Sequence, residues 1–146
     1  MPGNEQGQKC ARVIALDYGK VHTGVAISDP SGIIATPLGE ITDAAGRAGL
    51  QELQRLVSKT GAGIVIVGLP VSLSGRLGPQ AQEAEKFAED LRKQVGVPVI
   101  LWDERFTSKI AGRSVAVKKA RRRDSTHSLA ASLLLDDYLR SAGRES

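Results

Sequence analysis

The chain has 146 residues, 41% of them apolar and 25% charged, with a formal net charge of +4 and a single cysteine. That length suits one domain able to bury about 70% of its unfolded surface. No apolar run reaches the roughly 20 residues that a membrane helix needs, and the lone Cys10 excludes an internal disulfide or a cysteine zinc site.

Residues 1–11 open with MPGNEQGQK, polar and without a hydrophobic run, and are expected to form a disordered lead rather than a signal peptide. Together with the unpaired cysteine, this points to the cytoplasm. A single domain is expected over residues 12–141, with a short tail over 142–146. It begins with three apolar segments, RVIAL (12–16), GVAIS (24–28) and GIIAT (32–36), separated by DYGKVHT and DPS. Connections this short, punctuated by Gly and Pro, favour antiparallel hairpins. DAAGRAGLQELQRLVSKTGAG then has the spacing of an amphipathic helix, with Leu50, Leu53 and Val57 on one face, Asp43 as N-cap and Gly61 as the stop.

GIVIVGLP (63–70) is β-branched and continuously apolar, the pattern of a central strand covered on both faces. Pro79 starts a second helix that ends at Gly96. VPVILWDE (97–104) is another buried strand, and a last helix runs from Asp124 or Ser125 as N-cap to about Arg140. Three hairpin strands followed by alternating helices and strands predict an α/β fold. Its mixed five-stranded sheet would hold three antiparallel and two parallel strands, with helices on both faces. That element order is the order of the ribonuclease H-like fold.

Charge is spread unevenly. Residues 1–104 carry ten basic and twelve acidic side chains; then Arg105, Lys109, Arg113, Lys118, Lys119, Arg121, Arg122 and Arg123 follow with no acid among them. Such a run suits a polyanionic partner, although a solvated face has the same look. One Trp, two Tyr and two Phe are too few for base stacking to dominate, which favours recognition by shape and backbone.

Asp17 closes the first apolar strand, where an ionised carboxylate needs a partner or a cation. Glu104 ends the last strand. If the first and last core strands lie near each other, these two acids converge, and two carboxylates repel unless a proton or cation separates them. Mg²⁺ suits such a hard oxygen pair, with water and phosphate completing its shell. Asp103 has the opposite strand parity, so one of Asp103 and Glu104 faces the site, and parity alone leaves both open. The structural alternatives are that Asp17 caps the turn at Gly19 and that Glu104 pairs with Arg105 or Lys109.

On the last helix, His127, Ala130, Ala131, Leu134 and Tyr138 share one face, and the alanines allow close approach to the sheet. His127 is there either as a ligand or as a buried structural histidine. Asp136 and Asp137 read as a solvated face. In VGLPVSLSGRLGPQAQ, Gly68, Ser72 and Gly75 with the following helix start could cradle phosphate, or simply form a strand-to-helix turn. Lys20 and His22 in the first hairpin are phosphate contacts or turn residues.

Four segments in order, ALDYGKVHTGVAISD, IVGLPVSLSGRLGPQAQEAEKFAEDL, WDERFTS and AASLLLDDYL, make the chain resemble the YqgF family, also called RuvX. These are ribonuclease H-like proteins described as pre-16S rRNA nucleases and Holliday-junction resolvases. The resemblance spans Val13 to Leu139. It implies metal-binding carboxylates at Asp17 and Glu104 and a third acid opening the last helix, where this chain has His127. Asp124, one helical turn earlier, is the lesser candidate. Ser72 stands where the family usually has Asn. Imidazole suits Mn²⁺ better than Mg²⁺, so the resemblance implies Mg²⁺ or Mn²⁺ as cofactor. The implied activity is a metal-dependent endonuclease on structured nucleic acid, first the 5′ end of pre-16S rRNA. Four-way DNA junctions, which would require a homodimer, come second, and a non-catalytic nucleic-acid-binding protein third.

Overall fold

The computed structural model describes residues 12–69, 78–103 and 126–145. Among them are strands β1 (Arg12–Asp17), β2 (His22–Ser28), β3 (Ala35–Thr42), β4 (Ala62–Leu69) and β5 (Val99–Asp103). The helices are α1 (Arg47–Thr60), α2 (Pro79–Gln94) and α3 (Thr126–Glu145). The strands form one sheet in the order β3-β2-β1-β4-β5. β1 pairs antiparallel with β2, and β2 with β3, while β4 runs parallel to both β1 and β5. The expected mixed sheet is therefore observed.

Strand alternation divides the core in two. Ile14, Leu16, Val65, Val67 and Val99 point to one side and pack with Leu53 and Val57 of α1 and Phe87 and Leu91 of α2. Val13, Ala15, Ala26 and Ile66 point to the other and pack with Ala131, Leu134 and Leu135 of α3. β1 and β4 need apolar residues at successive positions because both of their faces are covered. Phe87 is fully buried, and truncating such a residue to Ala costs about 3–5 kcal/mol.

Two boundaries differ from expectation. The third strand begins at Ala35 instead of Gly32 and runs on to Thr42, leaving Ile33 and Ile34 exposed. Asp29 is the cause: its carboxylate accepts the N–H groups of Ile33 and Ile34, each at 2.8 Å, and the Ser31 hydroxyl. These bonds fold 29–34 into a turn. The Ser31 hydroxyl first, then the backbone donors, hold the Asp29 carboxyl far below the usual carboxylate range. Helix α1 is capped by Gly46, not Asp43, and without a side-chain hydrogen bond. Asp43 adopts a left-handed φ of 53°, and its carbonyl accepts the Gly46 N–H at 2.9 Å, so the chain turns once more before the helix starts.

Candidate active site

Asp17 ends the middle strand of the sheet. Opposite it in the β1–β2 ladder stands Gly24, and opposite Gly24 on β3 stands Glu40. On the other flank Leu16 pairs with Val67, and Gly68, the next residue, pairs with Trp102. Strand alternation from Val13 and Ala15 assigns Asp17 to the face that carries α3. Trp102 packs on that same face. A row Glu40–Gly24–Asp17–Gly68–Trp102 thus crosses the sheet, with a glycine on each side of the acid.

The glycine at 24 has a definite task. A Cβ there would meet the His127 carbonyl oxygen at 1.9 Å, its carbon at 2.1 Å and the Ser128 nitrogen at 2.7 Å. The first turn of α3 therefore lies directly on the β2 backbone, in the space that any side chain would occupy. Because Gly24 faces Asp17, this seats His127 beside the end of β1. His22, two residues before Gly24 and on the same face, places its ring centre 5.8 Å from that of His127 at an angle of 35°. Its Nδ1 is 3.3 Å from Glu40 Oε1.

The hairpin between β1 and β2 is equally constrained. Gly19 approaches the His22 carbonyl so closely that a Cβ would sit 2.3 Å from its oxygen. The Thr23 hydroxyl donates to the Gly19 carbonyl and accepts its N–H, both at 3.3 Å. Tyr18 stacks on Phe87 with centroids 4.6 Å apart, pinning the end of β1 to α2. Burial, then the Glu83 and Asp43 carboxylates, push the Tyr18 hydroxyl above its ordinary pKa, opposed by Lys20. It stays a proton donor at neutral pH.

Between this hairpin and the start of α2 lies an open cleft of about 450 Å³, lined by Asp17, Tyr18, Lys20, Gln80 and Glu83. Lys20 Nζ is 3.3 Å from Glu83 on its rim. The first backbone N–H groups of α2, uncapped by any side chain, belong to the same region. The cleft therefore combines carboxylates with cationic and N–H donors, a mixture that suits a phosphate held beside a cation.

Glu104, Asp124, Ser72, Gly75 and the basic residues Arg105, Lys109, Arg113, Lys118, Lys119, Arg121, Arg122 and Arg123 lie outside the described residues, as does the 1–11 lead. Gly68 lies in β4 beside Asp17, and Lys20 lines the cleft. Among the described residues no group of three or more metal-ligating side chains gathers. What they could offer a cation is a carboxylate at Asp17 and an imidazole at His127, an oxygen and a nitrogen donor whose chemistry would suit a divalent ion of intermediate hardness. No helix of the described residues is long and apolar enough to cross a membrane.

A family model described as RuvX, Holliday junction resolvase, matches residues 11–141. The chain belongs to the RuvX family. A RuvX-family relative from Thermoanaerobacter pseudethanolicus, named "Putative pre-16S rRNA nuclease", is 39% identical over 132 residues, covering 88% of this chain and 95% of the relative. One of the same name from Geobacillus kaustophilus is 36% identical over 133 residues, covering 88% and 96%. Among solved structures, Thermus thermophilus RuvC in complex with a Holliday junction substrate superposes with a TM-score of 0.63 at 15% identity, over 91% of this chain and 96% of RuvC. At that identity the likeness establishes the ribonuclease H-like fold.

Within this RuvX-family fold, one expectation on the last helix is overturned. Asp136 and Asp137 are not a solvated face: Asp136 is only 6% exposed, and Asp137 Oδ2 accepts a hydrogen bond from the Trp102 indole at 2.8 Å. Arg140 Nε stands 3.0 Å from Asp136 Oδ2, although it is not aligned to hydrogen-bond that buried oxygen. Tyr138 meets the Trp102 ring edge-on at 5.1 Å. The cause is that α3 lies over β1, β2 and β3, while the long Trp102 side chain reaches from β5 across the same face to Asp137 and Tyr138. The His22–Glu40 pairing and the seat at Gly24 escaped sequence reasoning. Their one sequence signal was a glycine in an otherwise β-branched strand, which marks close backbone approach.

Proposed function

We propose that this chain is a divalent-cation-dependent endonuclease for structured nucleic acid, with the 5′ end of pre-16S rRNA as its substrate. The single observation that carries this reading is the seat of α3 on Gly24, directly opposite Asp17. It joins the acid of the first strand and His127 of the last helix at one end of the sheet. The resemblance carried by WDERFTS supports Glu104, rather than Asp103, as the second acid. Asp17, Glu104 and His127 would hold the cation, Mg²⁺ or Mn²⁺, with Asp124 the lesser alternative. When bound, it supplies positive charge against the charge developing on the phosphoryl oxygens and makes an attacking water more acidic.

The protein's own residues do the rest. Lys20 and the uncapped N–H groups of α2 receive backbone phosphate in the cleft, Tyr18 offers a hydroxyl donor there, and the arginines and lysines of 105–123 hold the flanking strand electrostatically. Gly68, Ser72 and Gly75 would let the substrate backbone approach closely. The names of the relatives support an RNA substrate, and acting on that substrate would place the chain in the cytoplasm. The likeness to RuvC, solved on a Holliday junction, supports four-way DNA as the second reading, for which a homodimer would present two sites.

The test uses the purified full chain with a labelled pre-16S leader and a labelled four-way junction, in Mg²⁺, in Mn²⁺ and in chelator. Cation-dependent cutting of the leader at a defined site, leaving 5′-phosphate ends, is the expected result. Preference for the junction favours the second reading. Retention of both substrates without cleavage of either overturns the enzyme and leaves a binding protein.

A further inference from the structure

Among the described residues the cleft beside the first hairpin is lined by two carboxylates, Asp17 and Glu83, and the proposed chemistry uses only Asp17. We infer that Glu83 is a specificity-determining residue: it makes the cleft accept a phosphodiester inside a strand and turn away a terminal phosphate, the group that cleavage leaves on the product. The inference rests on the nuclease reading above and deepens it by naming which phosphate the cleft retains.

Helix α2 aims Glu83 by way of Phe87. The two residues are one turn apart and share a face. Phe87 is fully buried and stacks on Tyr18 with centroids 4.6 Å apart, so that face is pinned to the end of β1. Glu83 therefore stands beside the hairpin, its Oε2 3.3 Å from Lys20 Nζ. Its charge is felt within the cleft, where it helps the Tyr18 hydroxyl to keep its proton. The Lys20 side chain is 77% exposed and that of Glu83 41%. An ion pair this exposed is weak, so an arriving phosphate can take Lys20 from Glu83 without any change in the fold.

Glu83 then remains as a fixed negative charge beside the bound phosphate. A phosphodiester carries one negative charge, and a terminal phosphate nearly two at neutral pH. Lys20 and the α2 N–H groups meet the first charge; the second is set against the carboxylate. For two unit charges about 6 Å apart in water that repulsion is worth a factor of about three in affinity, and more where solvent is excluded. Hydrolysis breaks the bond from phosphorus to the 3′ oxygen and forms one to the water oxygen. One water proton goes to the 3′ oxygen, and the other leaves the new 5′ phosphate as it takes its second charge. Repulsion by Glu83 thus rises at the step where product must depart.

The experiment reads binding, not cleavage. Two short strands of one sequence, one ending in a 5′ phosphate and the other in a 5′ hydroxyl, are bound to the full chain in chelator, where neither is cut. Wild type should bind the phosphorylated strand no more tightly than the other. In Glu83→Gln the ratio of the two affinities should move about threefold or more toward the phosphorylated strand, and in Glu83→Lys about tenfold. Glu52→Gln makes the same charge change on α1, in a separate groove beside Leu38 and Arg55, and should leave the ratio unchanged. A general gain of affinity from lost negative charge would strengthen both strands alike, and thermal unfolding checks that each variant is folded. If the ratio is the same in wild type and both Glu83 variants, the inference falls while the nuclease reading stands. If wild type binds neither strand, the phosphate-binding cleft falls with it.

Discussion

Replacing Gly24 by Ala tests the seat of α3 most sharply. The added methyl would lie 1.9 Å from the His127 carbonyl oxygen, and its other close neighbours, the His127 carbon at 2.1 Å and the Ser128 nitrogen at 2.7 Å, are also main-chain atoms. None can rotate away. To restore an ordinary contact of about 3.4 Å, the first turn of α3 must retreat by about 1.5 Å, against the packing of Ala131, Leu134 and Leu135, all fully buried. Overpacking of this kind costs about 1–3 kcal/mol, and a main-chain clash belongs at the upper end. For a domain of this size about 3 kcal/mol lowers Tm by about 9 °C. The same retreat shifts His127, and a misplacement of about 1 Å in a catalytic constellation costs on the order of 100-fold in rate. Thermal unfolding and the cation-dependent cleavage rate of Gly24→Ala are measured beside Gly96→Ala, whose Cβ would meet nothing within 4 Å. If Gly24→Ala melts within about 1 °C of wild type and cleaves at the wild-type rate, α3 does not rest on β2 as described.

Three further outcomes are expected. His127→Asp should keep cleavage within about tenfold of wild type and His127→Ala should lose at least about 100-fold, since a carboxylate can replace an imidazole as ligand and a methyl cannot; equal rates would make His127 structural. Trp102→Phe removes the donor that Asp137 accepts at 2.8 Å, and should cost about 1–2 kcal/mol, read as a Tm lower by about 3–6 °C. If six or more of the eight basic residues between 105 and 123 contact phosphate, nucleic-acid affinity should fall about 1,000-fold or more between about 50 and 200 mM salt. A flat salt dependence would remove that segment from the interface.

Most of the sheet could be read from the sequence because its apolar runs are long relative to their turns. RVIAL and GIVIVGLP carry enough β-branched residues that nothing else competes, and the Gly61 stop and Pro79 start of the helices appear where placed. GIIAT misled because its apolar residues suggest a strand while Asp29, three residues upstream, spends its carboxylate on the following N–H groups. Local side-chain bonding won over apolar content. Asp43 misled likewise: a good capping residue by type, it sits in a left-handed turn three residues before the Gly46 cap. Asp17 was legible as a functional acid because a carboxylate at the end of a buried strand needs a reason. The His22–His127 meeting was not, since it depends on how far α3 sinks toward the sheet, and that depth is set by a missing side chain at Gly24 and not by either histidine.

The account depends on Asp17 acting through a bound cation on a phosphodiester. Asp17→Asn preserves shape and removes the charge, so the direct measurement is single-turnover cleavage of the pre-16S leader by wild type and Asp17→Asn in saturating Mn²⁺, with substrate affinity measured on the same preparations. Affinity within about threefold and cleavage slower by about 1,000-fold or more is predicted. Cleavage by Asp17→Asn at the wild-type rate would contradict the account.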